Sequence, residues 1–181
     1  MVLYARGIRL RFELFEPVDS STPVAHIEWP KWPRLGPRMP LHDDSTWPVP
    51  ETPSDAIVQL RGRALRIASE PVENGSNAAH WRYRMAEAGR EVTRAMIEVG
   101  PGMFPGSVVR ILNDGQWLVL RRGGRWVRFP WTLSSDSAEV GSLRAARGFS
   151  IARRSFEIDC PRLPETVAIL AFYLAINGTY R

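Results

Sequence analysis

Val167 to Ile176 runs ten residues without a charge and would be apolar on every face of a helix. Pro164-Glu165-Thr166 supplies a first helical turn with an acid near the positive end of the helix dipole, and Asn177-Gly178 supplies a stop. About 14 helical residues at about 1.5 Å each reach about 20 Å, short of the roughly 30 Å hydrocarbon core of a bilayer. No transmembrane span is therefore expected. A helix that is apolar all round must be surrounded, and the chain has no second long apolar helix to bundle with. The remaining surroundings are a sheet.

The second half supplies that sheet. Val108 to Leu112, the turn Asn113-Asp114-Gly115-Gln116 and Trp117 to Leu120 read as strand, turn, strand. Gly123-Gly124 turns the chain again. Trp126 to Leu133, Ala138 to Ala145 and Phe149 to Asp159 follow at short, regular spacing, the pattern of an antiparallel meander.

The first half is less regular. Ile8, Leu10, Phe12 and Leu14 alternate with charged residues, the pattern of one opening strand. Val24 to Trp29 can pair back on it after a turn at residues 19–23, with Ala25, Ile27 and Trp29 on one face. Residues 30–53 hold seven prolines together with Trp32 and Trp47, which forbids a central strand and predicts a long extended loop. Strand character returns at Ala56 to Leu60 and Ala64 to Ile67, with a bend or bulge at Gly62, and residues 70–77 read as a loop. Over 78–99 the apolar residues Trp81, Met85, Ala88, Val92, Ala95, Met96 and Val99 fall at helical spacing, which favours a helix. A hairpin turning at Ala88-Gly89 also fits, because Thr93, Ala95, Ile97 and Val99 alternate.

A chain of 181 residues with 44% apolar and 24% charged residues can bury a core as one domain, so 1–181 is read as a single barrel with the loop 30–53 inserted in it. Cys160 is the only cysteine and cannot form an internal disulfide, which predicts a reducing compartment. The N-terminus alternates charge and apolar character in place of a signal peptide. The expected location is the cytoplasm.

Charge is the one functional signal above background. All basic residues but Lys31 are arginines, a bias read as GC-rich, bacterial coding. Eight arginines against Asp136 and Glu139 fall between Arg121 and Arg154. Arg121, Arg122 and Arg125 gather at one hairpin end, and Arg144, Arg147, Arg153 and Arg154 lie around the next turns. Converging guanidinium groups suit phosphate or carboxylate ligands. Trp117, Trp126 and Trp131 interleave with arginines as in a single-strand nucleic-acid platform, yet they also alternate like core residues, which argues against nucleic acid. Exposure decides between the two.

Catalytic signatures are incomplete. His42-Asp43-Asp44 in the proline-rich loop could supply metal ligands or an acid and base, but only if His26 or His80 came within reach. Cys160 precedes Pro161 with nothing in the sequence to lower its pKa. No nucleophile elbow, phosphate loop, dinucleotide fingerprint or zinc-helix motif is present. A binding or structural module without catalysis, metal or cofactor is expected.

Leu133-Ser-Ser-Asp-Ser-Ala-Glu-Val-Gly-Ser-Leu-Arg144, then Phe149 to Asp159, then the apolar closing helix Leu163 to Ile176, resemble the superfamily of tubby C-terminal domains, phospholipid scramblases and LURP-one-related proteins. The resemblance covers residues 107–178 and implies an antiparallel barrel of about twelve strands threaded by the C-terminal helix. It also implies binding of anionic phospholipid or phosphoinositide head groups, peripheral to a membrane. The sequence lacks the calcium-loop pattern and the cysteine cluster associated with scramblases. An acidic protein is the other anionic partner expected for the arginines, and a different expectation is a structural or protein-interaction component that uses loop 30–53, with Trp32 and Trp47, as its contact arm. A small hydrolase built on His42, Asp43 and Asp44 stands third.

Overall fold

Three hairpins are closed by the same two-residue device. Arg61-Gly62, Ala88-Gly89 and Asp114-Gly115 all have positive φ at both positions, 46° and 79°, 47° and 83°, and 47° and 81°. That is the type I′ turn, whose twist matches that of the strands it joins and which favours glycine at the second position. The computed structural model describes residues 1–8, 11–17, 21–28, 56–72, 80–99, 107–123, 130–136, 138–145 and 155–179.

In chain order the strands are β1 Val2–Ile8, β2 Arg11–Phe15, β3 Ala25–Glu28, β4 Ala56–Leu60, β5 Arg63–Val72 and β6 His80–Glu87. They continue as β7 Arg90–Val99, β8 Ser107–Asn113, β9 Gln116–Arg122, β10 Trp131–Ser135, β11 Ala138–Ala145 and β12 Ser155–Asp159, followed by the helix α1 Glu165–Thr179. Each strand pairs antiparallel with its neighbours in sequence, and β12 pairs with β1 to close a twelve-stranded barrel. At that seam the Met1 amine donates to the Cys160 carbonyl (3.1 Å) and the Cys160 N–H donates to the Met1 carbonyl (2.8 Å). The expected barrel around an apolar helix is the fold of this chain.

α1 lies inside. Val167 through Ile176 are each at most 2% exposed, so no side of this stretch meets water. An eight-stranded barrel is just filled by its own side chains; twelve strands leave a wider interior, and the helix fills it. Phe172 meets Phe12 of β2 edge-on at 5.2 Å and Phe156 of β12 at 5.6 Å, while Tyr173 lies 6.1 Å from Tyr83 of β6. The helix entry is fastened by Arg61, whose guanidinium donates to Glu165 of α1 at 2.8 and 3.0 Å and also to Glu16 beyond β2. The Arg61 N–H donates to the Val24 carbonyl (2.9 Å).

Several expectations change. Ile8 pairs with Arg11, so the expected single strand from Ile8 to Leu14 is two strands with a reversal between them. Arg9-Leu10 offers no turn-forming residue to signal it. Gly62 closes a tight hairpin between β4 and β5 in place of a bend or bulge. β5 runs through Glu70-Pro71-Val72, read from sequence as loop. Beyond Ile67 its pairing with β4 has ended, so a missing proline N–H costs little there. The favoured helix over 78–99 is instead the hairpin β6–β7 turning at Ala88-Gly89. α1 ends at Thr179, within one residue of the expected stop at Asn177-Gly178. Residues 30–53, and the expected strand residues 126–129 and 149–154, lie outside the described residues.

On the outer wall Glu13 is only 7% exposed although its neighbours Phe12 and Leu14 take the inward positions. Arg6, its register partner, and Arg11 each donate to one of its oxygens (2.9 and 3.0 Å), and Arg6 also covers the Phe15 ring at 4.9 Å. The hydrogen bond from Arg6 holds the Glu13 carboxyl below its ordinary value of 4.5, against the opposing effect of burial. A lowered folded pKa adds stability that is fully present above the unfolded pKa and is lost as pH falls through the folded one. Thermal melts of the native protein should therefore fall more steeply below about pH 4.5 than those of Glu13→Gln. The expected difference is about 0.5–1 kcal/mol, small because both arginines are half exposed. Parallel curves would show that the pair contributes nothing.

Candidate anion-binding rim

Because strands alternate in direction, the barrel has two unlike ends. At the helix-entry end lie the three I′ turns and the start of α1. The strand ends and turns there carry Glu16, Glu87, Glu91, Asp114, Asp136, Glu139, Asp159 and Glu165 against Arg61, Arg63, Arg90 and Arg162. At the helix-exit end the described strand termini carry Arg11, Arg121, Arg122 and Arg144 against Glu28 and Glu98. Among the described residues the two ends thus differ in charge. The exit rim is also where the carbonyl end of α1 places negative dipole, which favours nearby cations.

β9 ends at Arg121-Arg122, and β11 ends at Arg144-Ala145. Arg121 shares the outward register of Trp117 and Val119 and lies opposite Thr132 of β10. Arg144 stands beyond Ser142 on the other side of β10. Two strand spacings and two residues of rise separate their Cα atoms by about 12 Å. Arg122 continues the inward series Leu118, Leu120 and lies opposite the buried Trp131, yet it is exposed because the barrel ends there.

Pairing distinguishes these arginines from most of the other described arginines, although Arg90 and Arg162 at the helix-entry end are likewise outside the ion pairs. Arg6 and Arg11 are held on Glu13, Arg61 on Glu16 and Glu165, Arg63 on Glu87, and Arg82 and Arg84 on Glu70. Among the described residues neither Arg121 nor Arg144 takes part in an ion pair, although Glu157 is the register partner of Arg144. Three of the seven arginines expected from sequence therefore come to one rim. Arg125, Arg147, Arg153 and Arg154 lie outside the described residues, as do Trp32 and Trp47.

The catalytic candidates do not assemble among the described residues. His26 sits on β3 opposite Glu13, and His80 opens β6 opposite Val72 and Glu98. His42, Asp43 and Asp44 lie outside the described residues. No group of three or more His, Cys, Asp or Glu that could hold a metal ion occurs among those described. Cys160 is buried at the helix-entry end, where burial first and the neighbouring Asp159 charge second push its thiol up to about 11. No described helix is long and apolar enough to cross a membrane.

Sequence reasoning missed Arg82, Arg84 and Arg94. They lie on the outer wall of β6 and β7, within the stretch whose spacing favoured a helix. A regular hairpin about Ala88-Gly89 would set Arg84 opposite Thr93; the bulge at Val92 shifts the register and brings Arg84 and Arg94 face to face.

The fold is a closed antiparallel barrel with a helical core, and among its described residues Arg121, Arg122 and Arg144 share one rim. Comparisons with protein-family models, with curated proteins and with solved structures return no match for the chain.

Proposed function

We propose that this chain is a non-enzymatic binding module that engages anionic ligands, with phospholipid or phosphoinositide head groups as the ligand class, at its helix-exit rim. The observation that carries the reading is the exposed pair Arg121 and Arg144, which lack ion-pair partners among the described residues and flank one strand. Exposed guanidinium groups without a carboxylate keep their capacity for bidentate hydrogen bonds to phosphate. Similarity to the tubby-like superfamily is part of the proposal, and the twelve-stranded barrel closed around an apolar helix supports it. Binding at such a rim would make the protein peripheral to a membrane.

Co-sedimentation with vesicles of neutral lipid, of phosphatidylserine and of lipid containing phosphoinositide tests the proposal. Each basic residue near an anionic surface contributes about 1 kcal/mol, so Arg121→Ala/Arg122→Ala/Arg144→Ala should weaken binding about a hundredfold, and salt should weaken the native protein. Equal sedimentation with neutral lipid, or an unaffected triple variant, would end the proposal. A second reading, a protein-interaction component, draws on the positions of Glu28 and Ala56. These strand ends flank residues 29–55 at the same rim. Pull-downs with 30–53 intact and deleted separate the two.

A further inference from the structure

The three described tryptophans do not share one environment. Trp81 and Trp131 are 3% and 4% exposed, but Trp117 is 39% exposed on the outer wall. Trp117 is therefore not a core residue, and its indole is accessible to a partner from outside the barrel. Its register partner is Leu112 of β8, and Arg94 reaches it from β7, the guanidinium carbon 6.0 Å from the ring centroid. That is a cation over an indole face.

Arg94 is also the register partner of Arg84 on β6. Like charges directly opposite in an antiparallel pair destabilise a sheet. The neighbouring carboxylates relieve this only in part. Arg82 and Arg84 share Glu70 at 3.1 and 3.0 Å, and Glu91 stands 3.8 Å from Arg94. Three guanidinium groups thus meet two carboxylates, and all three side chains are nearly half exposed. Arg82 and Arg84 lie two residues apart on one strand, roughly 7 Å, with Arg94 one strand over.

We infer that this outer wall of β6, β7 and β9 is a binding surface for single-stranded nucleic acid. Trp117 stacks on a base, and Arg82, Arg84 and Arg94 take the adjoining phosphates. The combination of basic groups and an accessible aromatic face is what sequence-tolerant single-strand recognition uses. A duplex hides its base faces from an indole. A peptide cannot add as a strand, because the closed barrel offers no free edge. One indole on a charged convex wall gives a bilayer little apolar area to bury. The surface is separate from the rim and does not depend on it.

Fluorescence anisotropy with a labelled single-stranded thymidine or uridine oligonucleotide of about 12–16 nucleotides, a common site length, tests the inference. Binding should appear at low salt and fall as salt rises. Trp117→Ala should weaken it roughly tenfold or more, and Trp117→Phe should retain most of it. Arg84→Gln should reduce the salt slope by about one. The rim variant Arg121→Ala/Arg144→Ala should bind the oligonucleotide as the native protein does, which separates this result from the fate of the rim proposal. Circular dichroism melts of each variant guard against misfolding. The inference is overturned by no binding at low salt, by equal competition from a duplex of the same length, or by an unaffected Trp117→Ala. It is also overturned if the wall variants lose only anionic-vesicle binding.

Discussion

Phe172→Ala should lower the free energy of unfolding by about 3–5 kcal/mol, the usual cost of deleting a core phenylalanine. Phe172 is fully buried and forms one ring cluster with Phe12 and Phe156, which themselves lie 5.8 Å apart. Those two rings sit on β2 and β12, the strands on either side of β1, so the cluster joins the helix to the seam that closes the barrel. Removing the ring leaves a cavity that a closed barrel cannot collapse to fill, and the edge-on contact is lost with it. Since natural domains hold only about 5–15 kcal/mol in all, the variant should be marginal. Urea unfolding should show a lower midpoint with an unchanged slope. Tyr4→Ala, on an exposed outer position, should change stability by less than about 0.5 kcal/mol. A Phe172→Ala effect no larger than that of Tyr4→Ala would mean that the helix is not enclosed by the strands.

The helix and the later strands are legible in the sequence for definite reasons. Ten uncharged residues in a row admit one environment, and Asp114-Gly115 marks its own turn. The hairpin over 78–99 is harder because it contains a bulge. Met85 pairs with Thr93 and Ala86 with Glu91, so Val92 is an extra residue and is exposed. The inward residues are Trp81, Tyr83, Met85, Thr93, Ala95 and Ile97, while Ala88 sits in the turn and Met96 lies outward. Slipping one residue through the alternation gives Val92 and Met96 the spacing of a helix. That same misreading hides the Arg84–Arg94 pair. Arg121, Arg122 and Arg144 are visible in sequence as arginine density at strand ends, but their common rim follows only from the order of the strands.

A second bulge carries the other large expected effect. Leu133 pairs with Gly141 and Ser134 with Glu139, leaving Val140 unpaired and pressing Gly141 against the chain at Cys160. A Cβ on Gly141 would stand 2.6 Å from the Cys160 sulfur and 3.0 Å from the Asp159 carbonyl oxygen. Neither can withdraw easily: the sulfur is buried, and the Cys160 backbone is tied to Met1 in both directions. Gly141→Ala should therefore cost about 1–3 kcal/mol through overpacking. Gly141→Ala/Cys160→Ala should recover part of that loss, because the sulfur clash disappears while the carbonyl contact remains. A double-mutant cycle by urea unfolding should give a coupling of at least about 0.5 kcal/mol, and strict additivity would show that the two residues do not press on each other. Thiol labelling adds an independent reading. With its thiol buried and raised to about 11, Cys160 should label slowly in the native protein and faster in Gly141→Ala, where the β11–β12 contact is forced apart. Arg144 lies three residues further along β11. If binding at the rim needs Arg121 and Arg144 held at fixed separation, Gly141→Ala should weaken anionic-ligand binding without changing a single charge.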